Sequence, residues 1–465
     1  MLLKYFYDKM LAQASYMVGC SETGEALVID PARDINPYLQ AARDEGLRIT
    51  HIAETHIHAD FVSGSCELAE ATGAVLYLSA MGGSDWQYAL ANASTVLLHD
   101  GDSWMVGNVR LEAIHTPGHS PEHLIYQLTD TKTADKPLGL FTGDCLFVGT
   151  VGRPDLLEEI VGDVDTKEPN ARAQFANVQR LKAMPDYLQV WPGHGAGSAC
   201  GKGLGSLPSS TLGYEKLVNP AFQLTDEAAF VSWLLTDQPE TPRYFAHIKQ
   251  LNKAGAPLIA DLPEPMHIHN REALDKILQM FLVFDTGSVE QFAARHIPGT
   301  INVPLSSDRF NTHIGWYVDY DLPTYIVCDE AELTHIMTML YAIGVDDVPG
   351  YFTPEVVADY NGMIRGVSIA QASALVQTGK ATLIDVRNPD EYREGHIPHA
   401  ISLPMGSLFK KLELVPPSQQ VIVHCGGGLR SQIVASMLQR VGYTNIRNLT
   451  GGIDAWKKAG LPTEN

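Results

Sequence analysis

Basic side chains are scarce in this sequence: 33 Lys and Arg stand against 54 Asp and Glu in 465 residues, a formal net charge of −21. A general nucleic-acid binder needs a basic face, so that class is excluded, and any anion site has to be a local pocket. Long apolar runs are also missing. No stretch approaches the roughly 18 consecutive apolar residues of a membrane span, so no membrane partner is expected. Residues 1–10 lack the apolar core of a secretory signal and read as a first strand. Cysteine is sparse too. Cys20, Cys66, Cys145, Cys200, Cys328 and Cys425 are scattered without a Cys-x-x-Cys pair, which excludes a disulfide framework and a zinc ribbon. A reducing, cytoplasmic setting is the expectation.

What remains is ordinary globular composition, 45% apolar and 19% charged, long enough for about two to four domains. Strands alternate with helices, which predicts a multidomain α/β protein. Residues 25–30, 48–55, 109–114, 123–128, 138–142 and 188–191 read as strands, and 37–47 and 171–184 as helices. The second half repeats itself at a shift of 100 residues: Asp285/Asp385, His296/His396, Ile297/Ile397, Pro298/Pro398, Ile301/Ile401 and Pro304/Pro404 coincide. Each copy continues into a buried-type strand and an amphipathic helix. Three domains are expected, at 1–255, 256–359 and 360–465.

The sharpest local signal is Thr55-His56-Ile57-His58-Ala59-Asp60, directly after a strand. In an extended stretch residues i, i+2 and i+4 point to one side, so His56, His58 and Asp60 can converge. His119 (Thr-Pro-Gly-His-Ser), Asp144 (Thr-Gly-Asp) and His194 (Trp-Pro-Gly-His) stand at later strand ends, each after a glycine that permits close backbone approach. One histidine alone reads as structural. Four strand-end sites of ligand type read as a metal centre.

With these four motifs in this order, residues 1–255 resemble the metallo-β-lactamase superfamily, which implies an αββα sandwich. The superfamily's first motif ends in a histidine and serves a two-metal hydrolase. Phe61 stands at that position, and phenylalanine cannot ligate, so one metal is favoured over two. The wider text (HADFVSGS, TGDCLFVGTVGRPD, PGHGAGSACGKGLG) is similar to the persulfide dioxygenase branch. That resemblance implies a mononuclear Fe(II), with zinc as the alternative, held by His56, His119 and Asp144. Two histidines and a carboxylate leave positions open for a substrate sulfur and O₂. His58, Asp60 and His194 then orient ligands or water, serve an additional metal, or simply make structural hydrogen bonds. His99, His115 and His123 read as structural or surface residues.

Arg153, in Gly-Arg-Pro-Asp, has two readings: a surface salt bridge, or an anion contact to a carboxylate-bearing thiol such as glutathione. The run 195–203 (GAGSACGKG) fails as a phosphate loop, since Ala196 replaces the first loop glycine and Gly203 the Ser/Thr that would meet Mg²⁺. Following His194, it is expected to wall the metal pocket, with Cys200 and Lys202 in reach of substrate. Cys200 as an idle buried thiol is the other reading. Cys20, Cys66 and Cys145 read as small core residues.

Near the end of the sequence, Val421-Ile-Val-His-Cys425-Gly-Gly-Gly-Leu-Arg430-Ser431 reads as strand, tight loop and helix start. Gly426, Gly427 and Gly428 allow a curled backbone whose N–H groups point inward, an anion nest. The helix from Ser431 adds its positive end. With Arg430, both favour Cys425 as a thiolate nucleophile. Together with Asp385-Val-Arg387, Gly395-His-Ile-Pro398 and Gly451-Gly-Ile-Asp-Ala-Trp456, residues 360–465 resemble the rhodanese family. Cys425 to Arg430 spans six residues, one fewer than the phosphate-sized loop of related phosphatases, and the shorter ring suits a sulfane sulfur. The resemblance implies that Cys425 carries sulfur as a persulfide, with Asp385 and Arg387 as a structural pair. In the middle copy, aligning Ile326-Val327 with Ile422-Val423 sets Asp329 opposite Cys425 and Cys328 one residue early. The glycines and the arginine are missing, and Gly287 stands for Arg387. This copy reads as an inactive rhodanese-like spacer or interface.

The combined resemblance implies a sulfide-detoxifying enzyme. O₂ oxidises a low-molecular-weight persulfide, such as glutathione persulfide, to sulfite, and Cys425 moves a sulfane sulfur to or from thiosulfate. Two alternatives stay open: a glyoxalase II-like zinc thioester hydrolase with accessory rhodanese domains, and a non-catalytic sulfur carrier or sensor. Oligomeric state is open, a homo-oligomer included.

Overall fold

The computed structural model describes residues 1–90, 94–162 and 165–465. The chain divides into two compact units, Met1–Leu262 with Leu340–Gly344, and Pro263–Met339 with Val345–Asn465. Among the described residues no helix is long and apolar enough to cross a membrane.

The first unit is built on two six-stranded sheets. One runs β1 (Leu2–Asp8), β2 (Gln13–Cys20), β3 (Glu25–Ile29), β4 (Arg48–Ala53), β5 (Val75–Ser79), β6 (Thr95–Leu98) in spatial order. The other contains β7 (Ser103–Val106), β8 (Val109–His115), β9 (Leu124–Asp130) and β10 (Gly139–Gly143), with a small hairpin β11 (Leu146–Phe147) and β12 (Thr150–Val151) beside it. It is completed by β13 (Gln189–Pro192) and β14 (Ser210–Thr211), in the order β14-β13-β10-β9-β8-β7. Alternation along β2 and β3 explains the layering. Val18, Leu27 and Ile29 turn to a core shared with Leu111, Tyr126 and Phe141 of the second sheet. Met17, Ala26 and Val28 pack on Tyr38, Ala41 and Ala42 of the helix Asn36–Asp44. Ile125, Leu140 and Val190 meet Ala171, Val178 and Leu181 of the helix Lys167–Lys182. The result is helix, sheet, sheet, helix. That second helix starts four residues before the expected 171; Pro169 lies in its first turn, where a missing N–H costs no intrahelical bond. The ligand-type motifs all follow strand ends: His56 after β4, His119 after β8, Asp144 after β10 and His194 after β13.

The second unit holds two five-stranded parallel sheets of one topology. The first comprises β15 (Met266–His267), β16 (Leu282–Asp285), β17 (Ile301–Asn302), β18 (Thr324–Val327) and β19 (Gly350–Phe352), ordered β15-β19-β18-β16-β17. The second comprises β20 (Arg365–Val367), β21 (Ala381–Asp385), β22 (Ile401–Ser402), β23 (Gln420–His424) and β24 (Ile446–Leu449), ordered β20-β24-β23-β21-β22. The text repeat is a repeat of contacts. His296 stacks on Phe292 at 4.0 Å and His396 on Tyr392 at 3.8 Å. Each imidazole Nδ1 bonds the carbonyl of that same aromatic residue. The copies also touch: Asn302 N–H donates to Ser436 Oγ at 3.0 Å, and Arg440 donates to the carbonyls of Gly299 and Phe281.

Register corrects one alignment. Asp285 pairs with Val327 in β16–β18, and Asp385 pairs with His424 in β21–β23. With Asp285 and Asp385 equivalent, Val327 matches His424, and Cys328, not Asp329, matches Cys425. The middle copy keeps the cysteine and lacks the loop around it.

The two aspartates differ sharply. Asp385 accepts Nε and Nη2 of Arg387 at 2.6–3.0 Å. Asp285, with Gly287 in place of that arginine, accepts the Gly287 N–H at 2.9 Å, and burial pushes its pKa from 3.8 up to about 6. A carboxyl whose folded value is raised holds its proton more tightly when folded. Its stabilisation is greatest below 3.8 and is lost as pH rises through about 6. Two pH units correspond to about 3 kcal/mol. Asp285→Asn is therefore expected to raise the urea midpoint of the second unit at neutral pH and to lose that advantage near pH 4. Equal midpoints at neutral pH would contradict it.

Candidate metal centre and sulfur-transfer loop

His56, His119 and Asp144 are buried, and a ligand atom from each lies within 4.8 Å of the others. Each is held from behind. Thr55 Oγ1 donates to Asp30 Oδ2 at 2.8 Å and so accepts from His56 Nδ1 at 3.0 Å, leaving the His56 Nε2 lone pair facing inward. His119 Nδ1 donates to the Arg153 carbonyl at 3.0 Å. The Asp144 N–H donates to His123 Nε2 at 3.0 Å, so His123 positions the carboxylate from the backbone side. Burial and neighbouring cations hold His56 and His119 well below the usual imidazole range, and both rings are neutral donors. Burial pushes the Asp144 carboxyl up to about 6.

Asp144 faces two ways. Oδ2 lies 3.5 Å from His119 Nε2, and Oδ1 lies 3.4 Å from His194 Nε2. His194 Nε2 is also 3.3 Å from Asp60 Oδ2. Such separations suit neighbouring ligands on a four-coordinate ion with bonds of about 2.1 Å. His56 Nε2, His194 Nε2 and both oxygens of Asp60 and Asp144 are buried without a hydrogen bond, so the donors fit a metal. Gly193 allows this approach: a Cβ there would sit 2.8 Å from Asp144 Oδ1.

His58 does not join them. Its Nε2 lies 3.1 Å from both Asp30 Oδ1 and Glu54 Oε2, and the Asp30 charge holds the imidazole well above its usual range against the cost of burial. The ligand atoms of His58, Asp30 and Glu54 lie within 4.8 Å of one another, a buried group of their own apart from the other motif residues. Asp30 and Glu54 gave no motif in the sequence. Nor did Lys249 and Asn252, on the buried face of the helix Tyr244–Ala254. Asn252 Nδ2 donates to the carbonyls of His58 and Phe61, and Lys249 Nζ to that of Ile57 at 3.3 Å. The helix thus clamps the histidine loop. The available signal was polar residues on an otherwise apolar helix face.

In the second unit, Cys425 directly follows β23 and is buried. Gly428 N–H donates to its Sγ at 3.1 Å and Ser431 Oγ–H at 3.5 Å. Arg430 is engaged by Glu391 in two bonds of 2.6 and 2.7 Å. Glu391 also accepts the Asn388 N–H to cap the helix Pro389–Glu394. Sequence reading missed it. Gly426 and Gly427 complete the loop, whose carbonyls are gripped from outside: Ile453 N–H donates to Cys425 O at 2.9 Å and Asp454 N–H to Gly426 O at 3.2 Å. Cys328 has no such surroundings. Burial and Asp329 push its thiol up to about 12.

Residues 9–194 match the family model of the metallo-beta-lactamase superfamily, and 368–459 that of the rhodanese-like domain. A solved metallo-beta-lactamase from Staphylococcus aureus subsp. aureus COL superposes with a TM-score of 0.71 at 44% identity, over 76% of this chain and 99% of that one. The chain belongs to the metallo-beta-lactamase superfamily. It is an enzyme of that superfamily with a rhodanese-like domain following. The persulfide dioxygenase ETHE1 of Homo sapiens is 26% identical over 49% of this chain and 78% of its own length. The hydroxyacylglutathione hydrolase of Polaromonas sp. (strain JS666 / ATCC BAA-500) is 35% identical over 39% of this chain, which spans 61% of that hydrolase.

Of three pocket residues expected in this metallo-beta-lactamase domain, two lie elsewhere. Arg153 is buried, neither on the surface nor turned to a substrate. Its fork binds Asp155 at 2.7 and 2.8 Å, and Nη1 donates to the carbonyls of Ala199 and Pro239. Lys202 turns to the end of the helix Glu227–Leu235, donating to Thr236 O at 2.6 Å with its ammonium 4.7 Å from the Trp233 ring centre. Cys200 does reach the centre, on the side of Asp60 and His194. A small pocket lined by Glu54, His56, His58, Cys66, Tyr88 and Asn252 among others lies on the His56 side.

Proposed function

We propose that the chain oxidises a low-molecular-weight persulfide to sulfite at the His56–His119–Asp144 centre and moves sulfane sulfur through Cys425. The observation that carries this reading is the donor set. Two neutral imidazoles and one carboxylate, all buried, face inward beside Phe61, which offers no ligand. A ferrous ion held by His56, His119 and Asp144 would supply the means of activating O₂ toward the substrate sulfur. The protein's part is to fix three donors through Thr55, Arg153 O and His123, and to exclude bulk water. The buried Lys249 ammonium adds positive potential for an anionic persulfide. Overall, R–S–S⁻, O₂ and water give R–S⁻, sulfite and two protons.

In the second unit, Cys425 Sγ attacks the outer sulfur of another persulfide and R–S⁻ leaves. The Gly428 N–H and the Ser431 hydroxyl hold the resulting Cys425 persulfide anion. Sulfite attacks its outer sulfur, releasing thiosulfate and the Cys425 thiolate; the reverse exchange is equally available.

Similarity to hydroxyacylglutathione hydrolase supports a rival, a zinc thioester hydrolase. One experiment separates them. The purified chain is expected to hold iron and to consume O₂ when given glutathione persulfide. Stoichiometric zinc with thioester turnover and no oxygen uptake would sink the dioxygenase reading. A sulfur carrier or sensor would show neither turnover.

A further inference from the structure

Sulfur transfer at Cys425 as described leaves the Arg430–Glu391 pair without a task. Arg430 Nη1 and Nη2 both donate to the Glu391 carboxylate, at 2.6 and 2.7 Å. Those two nitrogens are the fork with which an arginine grips an oxyanion, and here the protein itself fills the fork. Against the cost of burial, the bonds to Arg430 hold the Glu391 carboxyl below its usual range, so the pair is ionic at neutral pH. The pair stands at the loop. A Cβ on Gly426 would lie 3.8 Å from Arg430 Nη2, whereas one on Gly427 would meet nothing within 4 Å. The nest is open at Gly427, with the filled fork at its edge.

The middle copy shows what the carboxylate is not needed for. Its matching residue is Gln291, whose Oε1 accepts the Ser288 N–H at 3.0 Å, just as Glu391 Oε2 accepts the Asn388 N–H at 3.0 Å. An amide therefore closes the helix start as well as a carboxylate does. That copy has no arginine in the stretch after Cys328, which reads Asp-Glu-Ala-Glu-Leu. Of the two copies, the one with the loop arginine has the glutamate.

We propose that Glu391 sets the anion selectivity of the Cys425 loop: by occupying Arg430, it keeps tetrahedral oxyanions of the thiosulfate, sulfate and phosphate class from being held there. Thiosulfate formed at Cys425 then leaves instead of lodging on the arginine, and ambient sulfate or phosphate does not block the nest. Glu391 is a positioning residue that acts through Arg430. The inference rests on the reading above in taking Cys425 as the sulfur carrier.

The test is calorimetric titration of the full chain with thiosulfate and with sulfate, in a Cys425→Ser background that prevents turnover. Glu391→Gln keeps the helix cap in the manner of Gln291, and Glu391→Ala removes the amide oxygen as well. Freeing the fork should tighten binding of both anions at least about tenfold, the scale of a hydrogen bond to a charged group. Adding Arg430→Gln should abolish the gain. With Cys425 restored, the KM for thiosulfate as sulfur donor should fall by a similar factor in Glu391→Gln. Unchanged or weaker anion binding in both folded variants overturns the proposal, and so does a gain that survives the loss of Arg430. Tighter binding in a chain that moves no sulfur would sink the sulfur-transfer reading alone. Sulfur transfer without any tightening would sink this inference and leave that reading standing.

Discussion

Cys425→Ser is expected to abolish thiosulfate formation, by at least about 10³-fold, the scale on which loss of a catalytic nucleophile acts, while sulfite accumulates from continued persulfide oxidation. A serine hydroxyl carries no sulfane sulfur. The loop's shape does not depend on the thiol. It rests on the N–H groups of Ile453 and Asp454 and on Gly452, where a Cβ would lie 2.1 Å from Gly426 O and 2.4 Å from Cys425 O. The Arg430–Glu391 pair survives the exchange of sulfur for oxygen. Ion chromatography for sulfite and thiosulfate, beside an oxygen electrode, reads both reactions in one sample. Thiosulfate at the wild-type rate would remove Cys425 from the mechanism. Loss of oxygen uptake in a folded variant would contradict independent sites.

β3, β4, β8, β9, β10 and β13 were legible because their causes are local. β3 alternates its side chains between the two faces of the sheet, and His119, Asp144 and His194 follow strand ends with a glycine before them. What failed to show depends on partners distant in sequence. Arg153 looked like a surface cation because nothing near it announces that Ala199 and Pro239 will take its Nη1. Lys202 looked like a pocket residue because Trp233 and Thr236 lie a helix away. His58 sits midway in a three-residue motif whose members diverge: one faces His119 and Asp144, one faces Asp30 and Glu54, and one faces His194. Alternation along an extended strand cannot foresee that, because the chain past Ala53 is loop.

The Cys328 alignment failed for a different reason. Both copies carry an Ile-Val step ahead of a cysteine, but His424 intervenes in one only, so matching Ile-Val to Ile-Val slides one copy by a residue. Hydrogen-bond register is the stricter ruler, since one step turns every side chain to the other face. Retaining the cysteine without the nest leaves a buried thiol among Asp329, Asp285 and Glu332, which disfavour its anion. That charge pattern, together with the missing glycine loop, supports reading the middle copy as inactive.

Asp144→Asn carries the largest expected effect in the first unit, and its two consequences have opposite sign. The carboxylate offers one oxygen beside His119 and the other beside His194; an amide keeps the shape and removes the charge that a cation requires. Bound metal and persulfide-dependent oxygen uptake should fall at least about 100-fold, the upper end of what even indirect supports of a metal site cost. Stability without metal should move the other way. The folded Asp144 carboxyl has its pKa raised from 3.8 to about 6 by burial. Its stabilisation is therefore complete below 3.8 and lost as pH rises through about 6, a cost of about 3 kcal/mol at neutral pH. Asparagine escapes that cost. The metal-free variant is expected to unfold at higher urea than the metal-free wild type at neutral pH, with the gap closing near pH 4. Adding metal should reverse the order, because only the wild type gains from binding. Urea titrations of both proteins, with and without metal, decide it. A metal-free variant that is less stable at neutral pH would mean that Asp144 is satisfied by the protein alone.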